Sequence, residues 1–209
     1  SPSTFLEELP VDVQDIDPDP PTVDTGGAAQ SQLPFSVSTP EGPTGLSPHS
    51  LIDEDVFETE TEGEGMEFGS EVHDFAEKYA LGEEVSPSRR YDDEVNLKAL
   101  LDELEGELHA EEDVILPLNV NGGDVTVSGI ADLVHVLPER VEVIDYKTDR
   151  SRHAQGEYRK QLSVYYHVLD DVYPEREVTT ELFYTAKGER VEVTPLTLGE
   201  LELLVRANM

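Results

Sequence analysis

The chain contains no cysteine, which excludes disulfides, thiolate zinc sites and iron–sulfur clusters held by cysteine. It has no apolar run of the ~20 residues that a membrane helix needs, and no basic, apolar leader opens it. A soluble, cytoplasmic protein without a membrane partner is expected, and the start at Ser1 rather than Met suggests a piece of a longer chain. Basic residues are scarce, 14 against 47 acidic ones, for a formal net charge of -33. Such a surface repels nucleic acid at moderate salt, but at ~1 M salt the Debye length falls to roughly 3 Å and the repulsion is largely screened. The balance therefore reads as adaptation to high salt and leaves the substrate open. An acidic disordered or DNA-mimicking protein is the competing reading, and the strand patterns of the second half argue against it.

What is present is enough for one domain with extra segments: 209 residues, 37% of them hydrophobic. Residues 1–66 hold no lysine or arginine, and nine of the fourteen prolines precede Ser50, so this part reads as a linker or an extended strap. Residues 67–209 are expected to form the folded domain. Before it, Ser47-Pro48 opens a short helix and residues 58–65 form a charged loop. Val72, Phe75, Ala76, Tyr79 and Ala80 then recur at helical spacing, with Gly82 as a stop signal. A second helix is predicted over 91–109, with Val95, Leu97, Leu100, Leu101, Leu104 and Leu108 as its apolar set. Strands over 114–120, 125–136 and 141–147, joined by turns at 121–124 and 138–140, make a three-strand meander. Residues 154–172 return to helical period, 178–186 and 190–193 form a hairpin around Lys187-Gly188, and a capping box of Thr197 and Glu200 opens the last helix.

The chemistry concentrates between residues 125 and 147. At the two-residue period of a strand, Asp145 and Lys147 share a face with Val141 and Val143. The same period puts Asp132 on a face with Ile130, Val134 and Val136, where an uncompensated carboxylate is costly. Two carboxylates on adjacent strands beside a lysine form a natural site for a hard divalent cation that activates water. A surface hairpin with a Lys–Asp pair is the plainer reading of the spacing. His73 lies one step off its helix's apolar stripe, with Gly69 a turn earlier, and reads by itself as a half-buried histidine at a helix edge. Gln161 and Tyr165, four apart, share one helix face. Between residues 145 and 160, Lys147, Arg150, Arg152, Arg159 and Lys160 accompany only Asp145, Asp149 and Glu157. That local basic spot is what phosphate contacts require, although chance and solvated helix ends also account for it.

Four pieces, GSEVH (69–73), GIAD (129–132), VIDYKT (143–148) and QLSVY (161–165), are similar in order and spacing to the RecB-like nuclease branch of the PD-(D/E)XK superfamily. The resemblance covers about residues 67–186. It implies an α/β fold with a restriction-endonuclease-like core of helix, three-strand meander, helix and strand, behind an extended N-terminal segment. It also implies that Asp132 and Asp145 bind Mg²⁺ or Mn²⁺ with the Tyr146 carbonyl, that His73 is a further ligand, and that Lys147 positions or activates the attacking water. Gln161 and Tyr165 match the helix motif that supports the site and touches the DNA strand. The family's glutamate ahead of the first motif strand corresponds to Glu111 or Glu112. Members with an iron–sulfur cluster held by four cysteines are excluded.

A second likeness, STFLEELP (3–10), is to the stretch that closes the motor of UvrD-like helicases. Together these imply the C-terminal part of a helicase–nuclease: a metal-dependent deoxyribonuclease, an exonuclease of DNA repair or recombination. Its partners would be single-stranded DNA or duplex ends and a helicase motor in the same parent chain. No Walker A motif occurs, so this piece is not expected to hydrolyse ATP. The rival is a non-catalytic DNA-binding or scaffold module of the same fold, disfavoured because His73, Asp132, Asp145 and Lys147 are all present. RNA or branched DNA as substrate is a third possibility that the motifs do not separate.

Overall fold

Alternating apolar residues in the second half of the chain build a mixed sheet in the computed structural model, which describes residues 44–52, 64–88 and 91–209. Strands β2 (Glu107–Val120) and β3 (Gly123–Val136) pair antiparallel along their length. The turn between them is Asn121-Gly122, both residues at positive φ (55° and 81°), a combination that matches the twist of the flanking strands. Strand β4 (Arg140–Lys147) pairs antiparallel with β3 and completes the expected meander. Strand β5 (Glu177–Tyr184) lies parallel to β4, and β6 (Glu189–Glu192) closes a hairpin on β5.

Helices cover both faces. Helix α3 (Gln155–Val172) buries Tyr158, Leu162, Tyr165 and Leu169, and α4 (Leu198–Ala207) buries Leu201 and Val205, in one core with Val141, Val143 and Val127. Helix α1 (Glu64–Ala80) contributes Val72, Phe75 and Ala76, and α2 (Asp93–Glu103) Leu97, Leu100 and Leu101, to a second core with Leu133, Ile144 and Tyr146. Ile144 and Tyr146 thus face one layer, and Val141 and Val143 the other, as strand alternation requires. The capping box at Thr197 and Glu200 is formed.

Two expectations are corrected. The helix predicted over 91–109 ends at Glu103, and β2 begins at Glu107 rather than at residue 114. Gly106 explains the break: it sits at φ +123°, and a Cβ there would come within 3.0 Å of the Val136 carbonyl oxygen. The neighbouring Glu105 carbonyl accepts a 2.7 Å hydrogen bond from His135 Nε2. Leu108 therefore belongs to a strand, and Val95 faces solvent. His135 also pairs through Nδ1 with Glu142 at 2.8 Å, and Arg140 meets the other Glu142 oxygen at 2.9 Å. This charge set, in which His135 and Glu142 are buried, lies at the opposite end of the β3–β4 ladder from Lys147 and gave no sequence signal.

The second correction concerns the segment 1–66. Strand β1 (Thr44–Leu46) pairs parallel with residues 125–127 of β3. Ser47 caps a 3-10 turn over Pro48–Leu51, and Leu51 and Ile52 are buried. Residues 44–52 are built into the domain; the remainder up to residue 63, including the stretch 3–10, lies outside the described residues. A Cβ on Gly129 would meet Pro48 Cγ at 2.6 Å and Tyr165 Cε1 at 3.5 Å, so the turn is seated directly on β3. Gly129→Ala is accordingly expected to destabilise the domain by about 1–3 kcal/mol, read as a lower urea midpoint at unchanged slope. A midpoint equal to wild type would show that this seat is not occupied.

Candidate metal centre

Because β2 occupies one edge of β3, β1 and β4 must share the other. The β1 pairing ends at Val127 and the β4 pairing begins at Leu133, which leaves residues 128–132 without a ladder partner on that edge. The gap is filled by side chains. Tyr165 Oη donates to the Ile130 carbonyl at 2.8 Å, and Asp132 Oδ2 accepts the Tyr146 backbone N–H at 2.7 Å, where a strand carbonyl would otherwise stand. Ala131 and Val134 lie in the same core, so the alternation slips at Asp132 and the expected shared face of Ile130, Asp132, Val134 and Val136 does not exist. Ile130 is half exposed.

Across the β2–β3 ladder from Asp132, between the pairs Ala110↔Leu133 and Glu112↔Ala131, stands Glu111. Its φ is +52°, a left-handed conformation that is uncommon for a residue with a side chain and is often tied to a site. Ligand atoms of Glu111, Asp132 and His73 lie within 4.8 Å of one another. Glu112 instead approaches His109 Nδ1 at 3.8 Å, so of the two candidate glutamates the geometry selects Glu111.

His73 reaches the gap from α1. Its Nδ1 lies 3.3 Å from Asp132 Oδ1, and its Nε2 donates to the Tyr146 carbonyl at 3.1 Å. Gly69, one turn earlier, leaves a 3.5 Å clearance to Thr148 Oγ1 for a Cβ, an ordinary contact. On β4, Asp145 Oδ2 forms an ion pair with Lys147 Nζ at 2.6 Å, and that ammonium lies 4.2 Å from the centre of the Tyr158 ring. That ammonium is the partner of the buried Asp145 Oδ2. An open cleft of about 460 Å³ gives access to His73, Glu111, Lys147 and Thr148.

The electrostatics follow from this crowding. Burial and the charge of Asp132, only partly offset by Lys147, push the Asp145 carboxyl up to about 6. Burial acts the same way on Asp132, but the His73 hydrogen bond and charge, Lys147 and the Tyr146 N–H outweigh it and hold that carboxyl below its usual range. Burial would lower His73 and Lys147, yet the acidic neighbours win and both are raised. Burial and Asp132 raise Glu111. With both His73 nitrogens facing oxygen acceptors, the site favours an imidazolium, a demand for positive charge. Three converging ligand groups and this demand for positive charge suit a hard divalent ion.

The remaining sequence candidates have varied placements. Gln161 Nε2 donates to Tyr165 Oη at 2.8 Å, so the pair joins α3 to the gap through Ile130. Each basic residue near the motif has a protein partner: Arg150 with Asp93 at 3.7 Å, Arg152 with Glu189, and Lys160 with Glu157 at 2.6 Å. Arg159 donates to the carbonyls of Thr194 at 2.6 Å and Pro195 at 3.4 Å. The fold distributes the basic spot among separate neighbours. Sequence reasoning missed Tyr158 beside Lys147 and the buried Asp93, which accepts from Thr185 Oγ1 at 2.6 Å. Tyr158 could have been flagged, because it falls one turn before Gln161.

Residues 49–205 match the sequence profile of the PD-(D/E)XK nuclease superfamily. A comparison with curated proteins finds no match. Among solved structures, SSO0001 aligns with a TM-score of 0.47 at 17% identity, over 79% of this chain and 75% of that one. A candidate exonuclease from Eubacterium rectale aligns with a TM-score of 0.42 at 10% identity, over 86% of this chain and 83% of that one. On the profile match, which spans most of its length, the chain belongs to the PD-(D/E)XK nuclease superfamily.

Proposed function

We propose that the domain is a divalent-metal-dependent deoxyribonuclease, an exonuclease acting on single-stranded DNA or duplex ends as part of a RecB-type helicase–nuclease in repair or recombination. The observation that carries this reading is the convergence of His73, Glu111 and Asp132 in the ladder gap, with Asp145 and Lys147 on the adjoining strand. These acidic groups, His73 and the Tyr146 carbonyl would hold Mg²⁺ or Mn²⁺, whose chemistry here is charge stabilisation at a phosphate and acidification of water. Lys147, kept charged by Asp145 and Asp132, presents an ammonium that orients water and offsets developing phosphate charge, and is not the proton acceptor. Gln161 and Tyr165 hold the Ile130 carbonyl and with it the approach to Asp132. The helicase partnership is supported by the stretch 3–10, and work in a salty cytoplasm by the net charge of -33.

The test is Mn²⁺ calorimetry in molar KCl on wild type and Asp145→Ala, followed by degradation assays on single-stranded, duplex and branched DNA and on RNA. Binding lost in the variant, with DNA degraded, supports the reading; a folded wild type that binds no metal favours a scaffold. The pH dependence has a defined sign. His73 must be neutral and Asp145 ionised to act as ligands, His73 titrates above its ordinary 6.5 and Asp145 near 6. Affinity is therefore full above both values and falls as protons are added, by at least about tenfold between pH 8 and pH 5.5. A flat profile would remove both His73 and Asp145 from the ligand set.

A further inference from the structure

We propose that Tyr158, tied to Asp149, is the positioning residue for the Lys147 ammonium. The placement is argued from geometry, and its kinetic consequence rests on the nuclease reading above. Lysine carries a point charge on a flexible four-carbon stem, without the planar fork that fixes an arginine, so its position has to be imposed from outside. On one side Lys147 Nζ has Asp145 Oδ2 at 2.6 Å. On another it lies 4.2 Å from the centre of the Tyr158 ring, close enough for a cation–π attraction that strengthens in a desolvated setting. The Tyr158 hydroxyl donates to Asp149 Oδ2, two residues beyond Lys147.

One buried ring therefore links the end of β4, the loop after it and the first turns of α3. Donation to a carboxylate leaves the phenol ring richer in electrons, and such hydrogen-bonded chains polarise one another. The ring thus attracts the ammonium from a direction in which it competes with no metal-binding carboxylate. Without it, Lys147 is left to Asp145 and Asp132 and is drawn into the ligand set. The backbone is fixed separately, since the Lys147 carbonyl accepts the Thr185 N–H at 3.0 Å, and Thr185 Oγ1 is held by Asp93. That leaves the side chain as the part Tyr158 governs.

The sequence makes a direct readout practical, because Lys147 is one of only five lysines, with Lys78, Lys98, Lys160 and Lys187. In the full chain carrying ¹³C-labelled lysine, the ε-methylene resonance of Lys147, assigned with Lys147→Arg, is expected upfield from the ring current of Tyr158. It stays upfield in Tyr158→Phe and moves back in Tyr158→Leu, while Lys98, over the Tyr79 ring at 5.0 Å, stays put as an internal control. In parallel, kcat on DNA falls about 10- to 30-fold in Tyr158→Leu with KM within about twofold, and Tyr158→Phe recovers most of the loss. Should all five resonances of the leucine variant move together, it has unfolded, and Asp149→Asn takes its place with a smaller shift of Lys147 and a few-fold loss of kcat. A Lys147 resonance unmoved by removal of the ring, or moved without change in kcat, overturns the proposal. A wild type that cuts no DNA while its Lys147 resonance behaves as described overturns the nuclease reading and leaves the placement standing.

Discussion

Asp132→Asn is expected to leave a folded protein that cleaves DNA on the order of 10³-fold more slowly, a loss of about 4 kcal/mol of transition-state stabilisation. Three functions meet on this carboxylate. It accepts the Tyr146 N–H that closes the ladder gap, it faces His73, and it shares a ligand position with Glu111. An asparagine oxygen can still accept the Tyr146 N–H, which preserves the backbone at the gap, but it supplies no negative charge for a cation. His73 loses the neighbour that raises it and titrates lower. Single-turnover cleavage and Mn²⁺ calorimetry on the variant check both consequences: metal affinity falls with rate. Near-wild-type turnover with intact metal binding would falsify the assignment of this gap as the catalytic centre.

Lys147→Met separates binding from chemistry. Methionine keeps most of the apolar stem in its place against the Tyr158 ring but removes the ammonium. Cleavage is expected to fall by about 10²- to 10³-fold, the scale found when one group that stabilises transition-state charge is removed. Mn²⁺ affinity at pH 8 should instead hold or rise, because the protein's own cation no longer competes for Asp145 Oδ2. Loss of metal binding together with rate would mean that Lys147 chiefly keeps Asp145 ionised, and its role at the phosphate would have to be abandoned.

The sequence was most informative where a local rule and the global fold agree. Val141, Val143, Asp145 and Lys147 alternate on a strand that has helices on both faces, so their shared direction was readable from period alone. Gln161 and Tyr165 meet because residues four apart on a helix always can. The failures lie where one backbone angle overrides the pattern. Leu104 and Leu108 continue the helical period of α2, but Gly106 between them sits at φ +123° and turns the chain into β2. Glu111 could not be told from Glu112 because the choice depends on a left-handed residue inside a strand, where neither propensity nor alternation announces one. The slip at Asp132 is of the same kind. The basic spot is dispersed by the fold: neighbours along the chain between 145 and 160 diverge once the loop ends and α3 begins, and Arg150, Arg152 and Lys160 each face a different carboxylate.

The shared edge of β3 also makes the domain a mechanical object. Strand β1 runs parallel to β3 from Val125 toward Val127, so it starts beside the hairpin turn and heads for the ladder gap. Its three ladder positions lie along one axis, so a load along that axis would shear them together instead of opening them one by one. Behind them, Pro48 bears on Gly129 beside Tyr165, whose hydroxyl holds the Ile130 carbonyl two residues from Asp132. A load on this edge would thereby reach Asp132 through Pro48, Gly129 and the Ile130 carbonyl.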